Sequence, residues 1–101
     1  MKIYIVKYCA NEFDDLRYDF PYPIYYSLAK SNARQFFENL KSLCKKDFND
    51  NLDQYPEFKN NEEYQFTEND NSFEYSIGKW VYEYTYEERE METDLRYTKN
   101  G

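Results

Sequence analysis

Six acids gather near the C-terminal end of this 101-residue chain: Glu83, Glu87, Glu88, Glu90, Glu92 and Asp94, relieved only by Arg89 and Arg96. Glu88, Glu90, Glu92 and Asp94 occupy alternate positions, so in extended backbone they point the same way, about 6.6–6.8 Å apart. Phosphates along one strand of duplex DNA are spaced roughly 7 Å apart, once helical winding is added to their rise along the axis. A row of carboxylates at that spacing can occupy successive lysine and arginine positions in a nucleic-acid-binding groove. The plainer role of such a row is a solvated edge whose charges deter strand-to-strand aggregation. Tyr82, Tyr84 and Tyr86 alternate beside these acids. Tyrosine joins an apolar ring to a hydroxyl and is enriched at interfaces, so contact with another protein is the second chemistry this segment offers.

Other chemistry is thin. The chain has no His, the commonest general base and metal ligand near neutral pH. Two glycines cannot build a phosphate-cradling loop. Cys9 and Cys44 share no zinc-type spacing and have no base beside them in sequence, so they read as reduced, mostly buried thiols. Carboxylate pairs could run glycosidase-type chemistry, but in a chain this acidic such pairs arise by chance. Asp47, Asn49 and Asn51 resemble the opening of a calcium loop. Leu52 stands where its Gly belongs and Phe58 where its closing Glu belongs, so the stretch reads as a polar loop. No catalytic residue, metal ligand or cofactor is expected, and the chain reads as a binding protein.

Charge says what it can bind. Residues 1–46 hold five acids and eight bases, whereas residues 47–101 hold fifteen acids and five bases, giving the net charge of -7. A surface of that sign repels nucleic acid and membranes and attracts basic proteins over about a Debye length. A basic protein partner is expected, with no direct contact to nucleic acid or membrane. No apolar run reaches the roughly 20 residues of a membrane span, and the Met1–Lys7 stretch lacks the pattern of a signal peptide, so a cytoplasmic location is expected.

These residues need a fold to hold them. Aromatics make up 22% of the chain, which separates it from disordered chains of similar charge and supplies a core for one small domain spanning 1–101. Residues 92–101 are expected to be an extended or disordered tail. Lys2 to Cys9 reads as a strand with Ile3, Ile5, Lys7 and Cys9 on one face and Tyr4, Val6 and Tyr8 on the other. A loop from Asn11 to Pro23 leads to a second strand, Ile24 to Leu28. Ser31 is placed to cap a helix from Asn32 to about Asp47, with Ala33, Phe36, Phe37, Leu40, Leu43 and Cys44 as its apolar stripe. Its lysines would sit at the negative end of the helix dipole. A loop follows to Asn61, then strands over Tyr64–Thr67, Ser72–Ile77 and Trp80–Glu87, the last alternating most clearly. The expected fold is α+β: an antiparallel sheet of four to five strands with one amphipathic helix on one face.

On such a sheet the tyrosine row is either core or exposed surface. Tyr4, Tyr8, Tyr25, Tyr26, Tyr64 and Tyr75 compete for the same covered face, and one helix cannot cover them all. That excess favours an exposed tyrosine and acid surface on the last strand.

A short Lys- and Asn-rich chain of net charge -7 with few Gly, it resembles small acidic phage and mobile-element proteins, of which the nearest functional class is the anti-CRISPR inhibitors. Its MKIYIV opening and ARQFFENLK segment are similar in plan to phage proteins mostly without assigned function. The resemblance lies in size, charge and architecture; no motif carries site residues across. It implies an acidic inhibitor that occupies the basic nucleic-acid groove of a CRISPR effector or other nuclease in a bacterial host. An antitoxin or immunity protein that neutralises a toxin nuclease would use the same physics, and a non-enzymatic adaptor is the third possibility. Glu83, Glu87, Glu88, Glu90, Glu92 and Asp94, with Tyr82, Tyr84 and Tyr86, are the expected contact residues. The Asp47–Asp70 region is the alternative surface.

Overall fold

The structure, a computed structural model, describes residues 1–12 and 22–90. It is α+β, with five strands and one long helix: β1 Lys2–Glu12, β2 Tyr22–Ser27, α1 Lys30–Gln54, β3 Tyr64–Glu68, β4 Ser72–Ile77 and β5 Trp80–Glu90. A short 3-10 turn, Pro56–Phe58, follows the helix. The sheet order is β2-β1-β5-β4-β3, and every neighbouring pair is antiparallel. The strand expected at an edge is therefore the central one: β5 pairs with β1 on one side and β4 on the other. Eleven residues of β1, from Lys2 to Glu12, pair with β5, which carries β1 past Cys9 into the stretch expected to be loop.

Alternation divides the sheet into two faces. Tyr4, Val6, Tyr8, Phe66, Phe73, Tyr75, Tyr82, Tyr84 and Tyr86 share one face, and α1 packs on it. Phe37 is fully buried there, with ring centroids 5.5 Å from Phe73 and 6.0 Å from Tyr86. Phe36 stacks on Tyr25 at 4.3 Å, and Phe48 meets Phe66 at 5.7 Å. The core is thus mostly rings, which suits a chain short of aliphatic side chains. The opposite face carries Ile3, Ile5, Lys7 and Cys9 beside Glu83, Thr85 and Glu87.

The helix departs from expectation at both ends. It begins at Lys30, and its cap residue Ala29 makes no side-chain capping bond, so Ser31 is inside the first turn. Ser27 does the local polar work instead, its hydroxyl accepting from the Ala29 N–H at 2.9 Å. At the other end α1 runs on to Gln54 through Asp47, Asn49 and Asn51, which therefore form no calcium loop. Buried Phe48 explains the extension, because it repeats the spacing of Ala33, Phe37, Leu40 and Cys44 and carries the stripe onto β3 and β4. Leu43 was expected in the stripe but is 62% exposed.

β2 starts at Tyr22, so Pro23 lies inside a strand. β2 is an edge strand, where the missing proline N–H can face solvent, and the register with β1 shifts at that point. Gly78 has φ 62 and opens the two-residue turn between β4 and β5, the positive φ that a two-residue hairpin turn favours. The β3–β4 turn is tied to the helix: Arg34 donates to Asn71 Oδ1 and the Asp70 carbonyl, and Lys41 to the Asn69 carbonyl at 2.9 Å. Among the described residues, no helix is long and apolar enough to cross a membrane.

Candidate protein-docking surface

Position in β5 decides what each expected contact residue can do. Tyr84 and Tyr86 point toward the helix. Tyr86 is 7% exposed, stacked at 6.5 Å on Tyr4 and covered by the Arg34 guanidinium 4.5 Å above its ring. Its hydroxyl is buried without a hydrogen-bond partner. Tyr84 packs at 4.7 Å on Phe73, and half-buried Tyr82 stacks at 5.1 Å on Tyr75. Burial pushes the Tyr84 hydroxyl up to about 12 and raises Tyr75 and Tyr86 as well. The expectation of an exposed tyrosine and acid surface on this strand is therefore corrected. A central strand lends one whole face to the helix, and all five strands contribute rings to that face.

The acids of β5 divide between the two faces. Glu83 and Glu87 lie on the face away from α1, opposite Cys9 and Ile5, both of which are buried. Glu88 and Glu90 share the tyrosine side but lie past the start of the helix. Most of them are engaged within the chain. Glu87 meets Lys7 at 2.6 Å and Arg89 at 2.8 Å, Glu88 meets Lys30 at 3.0 Å and Lys2 at 3.6 Å, and Glu90 meets the N-terminal ammonium at 3.1 Å. Hydrogen bonds from Lys7 and Lys30 hold the Glu87 and Glu88 carboxyls below the usual carboxylate range. Glu83 faces Glu74 across β4 and β5. Glu92 and Asp94 lie outside the described residues, as does the expected tail.

Chemistry at the two cysteines is equally constrained. Both are free thiols, Cys9 buried and Cys44 half-buried. Cys9 is on the face away from α1 and Cys44 on the helix, so the sheet lies between them. Burial raises the Cys44 thiol, with hydrogen bonds to Tyr75 and Tyr84 opposing that shift. A thiol raised in this way is a weak nucleophile near neutral pH.

The opposite end of the molecule is different in kind. The last turns of α1 carry Asp47, Asp50 and Asp53, and Glu57, Glu62 and Glu63 follow. Lys59 is the one base from 47 to 63, which leaves that stretch at -5. Asp50 is paired with Lys46 at 2.7 Å and Asp53 with Lys59 at 3.3 Å. No ion pair among the described residues engages Asp47, Glu57, Glu62 or Glu63. The last turn of the helix contains no base. The C-terminus of a helix is the negative end of its dipole, so an acid in the last turn, such as Asp53, is disfavoured there. The lysines expected at that terminus, Lys45 and Lys46, lie more than two turns earlier because the helix is longer than its sequence signals implied.

The same stretch contributes to a groove of about 280 Å³ lined by Phe48, Asn51, Leu52, Tyr55, Phe58, Tyr64 and Ile77. Phe58 stacks on Tyr64 at 4.2 Å and meets Tyr55 at 5.8 Å, so neighbouring rings hold the wall in place. Tyr55 is 45% exposed and Ile77 37%, which opens the groove to solvent. The sequence did carry a signal for it: Leu52 and Tyr55 continue the stripe of Phe48 at i+4 and i+7. Reading the Asn- and Asp-rich stretch as a loop hides that signal.

Compared with known protein families, curated proteins and solved structures, the chain matches none.

Proposed function

We propose that this chain is a non-enzymatic inhibitor, acting in the cytoplasm of a bacterial host, that docks an acidic surface into the basic nucleic-acid groove of a CRISPR effector or other nuclease. It blocks DNA or RNA by competition. The partner is a basic host protein, no cofactor takes part, and the chain's own charge keeps it off nucleic acid and membranes.

The acidic end supports this reading most. Six acids against one lysine lie in the last turns of α1 and the stretch that follows it, and among the described residues ion pairs engage only Asp50 and Asp53 of the six. Folding alone gains nothing from that arrangement, whereas a basic partner relieves it. The β5 acids fit less well, because a partner's lysines and arginines would first displace Lys2, Lys7, Lys30 and Arg89. Glu83, Glu88 and Glu90 therefore become a secondary contact, and the Asp47–Glu63 end the main one.

Two variants of equal charge test placement. The first carries Asp53→Asn, Glu57→Gln, Glu62→Gln and Glu63→Gln; the second carries Glu83→Gln, Glu87→Gln, Glu88→Gln and Glu90→Gln. Each is assayed for displacing duplex DNA from purified CRISPR effectors and nucleases. The wild-type chain displaces DNA from its target, the first variant loses about 10-fold or more, and the second loses less, since close charge pairs contribute roughly 1.5 kcal/mol or more each. The first keeps or gains thermal stability, and the second loses some with its ion pairs. Equal losses of displacement would leave only long-range attraction. Displacement from no enzyme, or salt-sensitive low-micromolar binding of the chain to DNA itself, would sink the proposal.

A further inference from the structure

The acidic end offers more than charge. A surface that attracted cations only through charge would need no apolar recess, yet the acidic stretch from 47 to 63 also supplies Phe48, Leu52, Tyr55 and Phe58 to one. Phe48 is 6% exposed and forms its floor, while Tyr55 and Ile77 open it to solvent. Trp80 pairs with Ile77 across the Gly78 turn and is 45% exposed beside it. Interfaces commonly seat an anchoring side chain in an apolar recess with polar residues around it.

We infer that the groove takes one bulky apolar side chain, aromatic or leucine-sized, from a segment of the partner whose flanking residues are lysines and arginines. The inference rests on the acidic-docking reading above and names the partner segment's chemistry. Size permits it: a cavity of about 150 Å³ already admits benzene, and this groove measures about 280 Å³. Charge selects among occupants. A second copy of the chain would bring another -5 stretch against this one, and a fatty acid or other apolar anion would meet the same repulsion. A basic segment is drawn in by that field.

The groove's geometry also sets the order of events. Charge steers the encounter from a distance, and the anchor then slows dissociation, because only the docked state buries it. The anchor supplies specificity that acids alone lack, since any basic surface satisfies carboxylates but only a protruding apolar side chain fills the recess.

The test uses two short Lys/Arg-rich peptides, one with a single central Trp and its twin with Ala there, titrated calorimetrically into the full-length chain. A third peptide keeps the Trp and replaces its Lys and Arg with Gln. The Trp peptide should bind about 10-fold or more tighter than its Ala twin, as burial of a large apolar side chain requires. Leu52→Gln and Ile77→Thr should erase that advantage while leaving the Ala twin's affinity unchanged, with thermal melting confirming each fold. NMR shifts on adding the Trp peptide should centre on the Leu52 and Ile77 methyls. Because the Trp-to-Ala change is in the peptide, it decides the matter even if a protein variant fails to fold.

Equal binding of the two basic peptides, both weakened by the four-acid variant of the acidic end, would overturn the groove inference and leave acidic docking standing. If that variant weakens neither peptide, the acidic-docking reading fails as well. Equal binding of the uncharged Trp peptide would make the groove a general apolar pocket, and a dimer that Leu52→Gln dissociates would assign it to self-association. Either result overturns the inference.

Discussion

Phe48 tests the helix, the core and the floor of the groove at once. Its ring is 6% exposed, 5.7 Å from Phe66 and 6.2 Å from Tyr75, so Phe48→Ala removes a buried ring from between α1 and the β3–β4 pair. Such truncations cost about 3–5 kcal/mol, combining the lost transfer energy with the cavity left behind. A loop phenylalanine, which the Asn-rich sequence around it implies, would cost no more than about 0.5 kcal/mol. The control is Leu43→Ala, equally helical but 62% exposed, where a change within about 0.5 kcal/mol is expected. Urea unfolding followed by circular dichroism reads both, and a small domain gives a melting shift of roughly 4–8 °C per kcal/mol. Small domains are stable by only about 5–15 kcal/mol, so Phe48→Ala could unfold at once. Phe48→Leu then supplies a milder step in the same direction. If Phe48→Ala and Leu43→Ala cost the same, the helix does not bury Phe48, and the groove built on it fails too.

Three further predictions concern alkaline pH, acid pH and the β4–β5 turn. Tyr84 is held up to about 12 by burial, so above pH 10 the unfolded chain ionises a group the folded chain keeps neutral, and stability falls between about pH 10 and 12. Tyr84→Phe should flatten that alkaline limb in thermal melts, and an unchanged slope would refute the assignment. In acid the sign is opposite: Glu87 and Glu88 are held low by Lys7 and Lys30, so their contribution is present above the ordinary carboxylate range and is lost as pH falls through their lowered values. Gly78→Ala should cost about 1 kcal/mol or more from its φ of 62 alone, since the nearest atom to an added Cβ is the Tyr64 hydroxyl at 3.8 Å. Unchanged urea stability would mean the turn does not need that conformation.

Much of the architecture was legible along the chain. Alternation is a local property, and it identified β5 and both faces of β1 without reference to any partner. The stripe from Ala33 to Cys44 likewise announced a helix, and the charge imbalance between the two halves required no fold to be seen. Boundaries were less legible where polar residues interrupt a pattern that burial sustains. Asp47, Asn49 and Asn51 look like loop until Phe48 is seen packed on Phe66, and Pro23 looks like a strand stop until β2 is seen at an edge.

Strand order was not legible at all, and it decided the site. Nothing local to Trp80–Glu90 says whether it has one neighbour or two, because backbone pairing joins residues distant in sequence. Once β5 is central, the same alternation that predicted a displayed tyrosine row turns Tyr84 and Tyr86 into core. The same pairing brings Lys2, Lys7 and Lys30 from the basic half of the chain onto Glu87 and Glu88. The sequence by itself determined how much negative charge the molecule carries and which stretches form its elements. Tertiary structure alone decided which carboxylates are matched within the chain. It also built an aromatic groove from the helix end and the β4–β5 turn, at the other end of β5 from Lys2, because Lys2 pairs with Glu90 and the turn leads into Trp80.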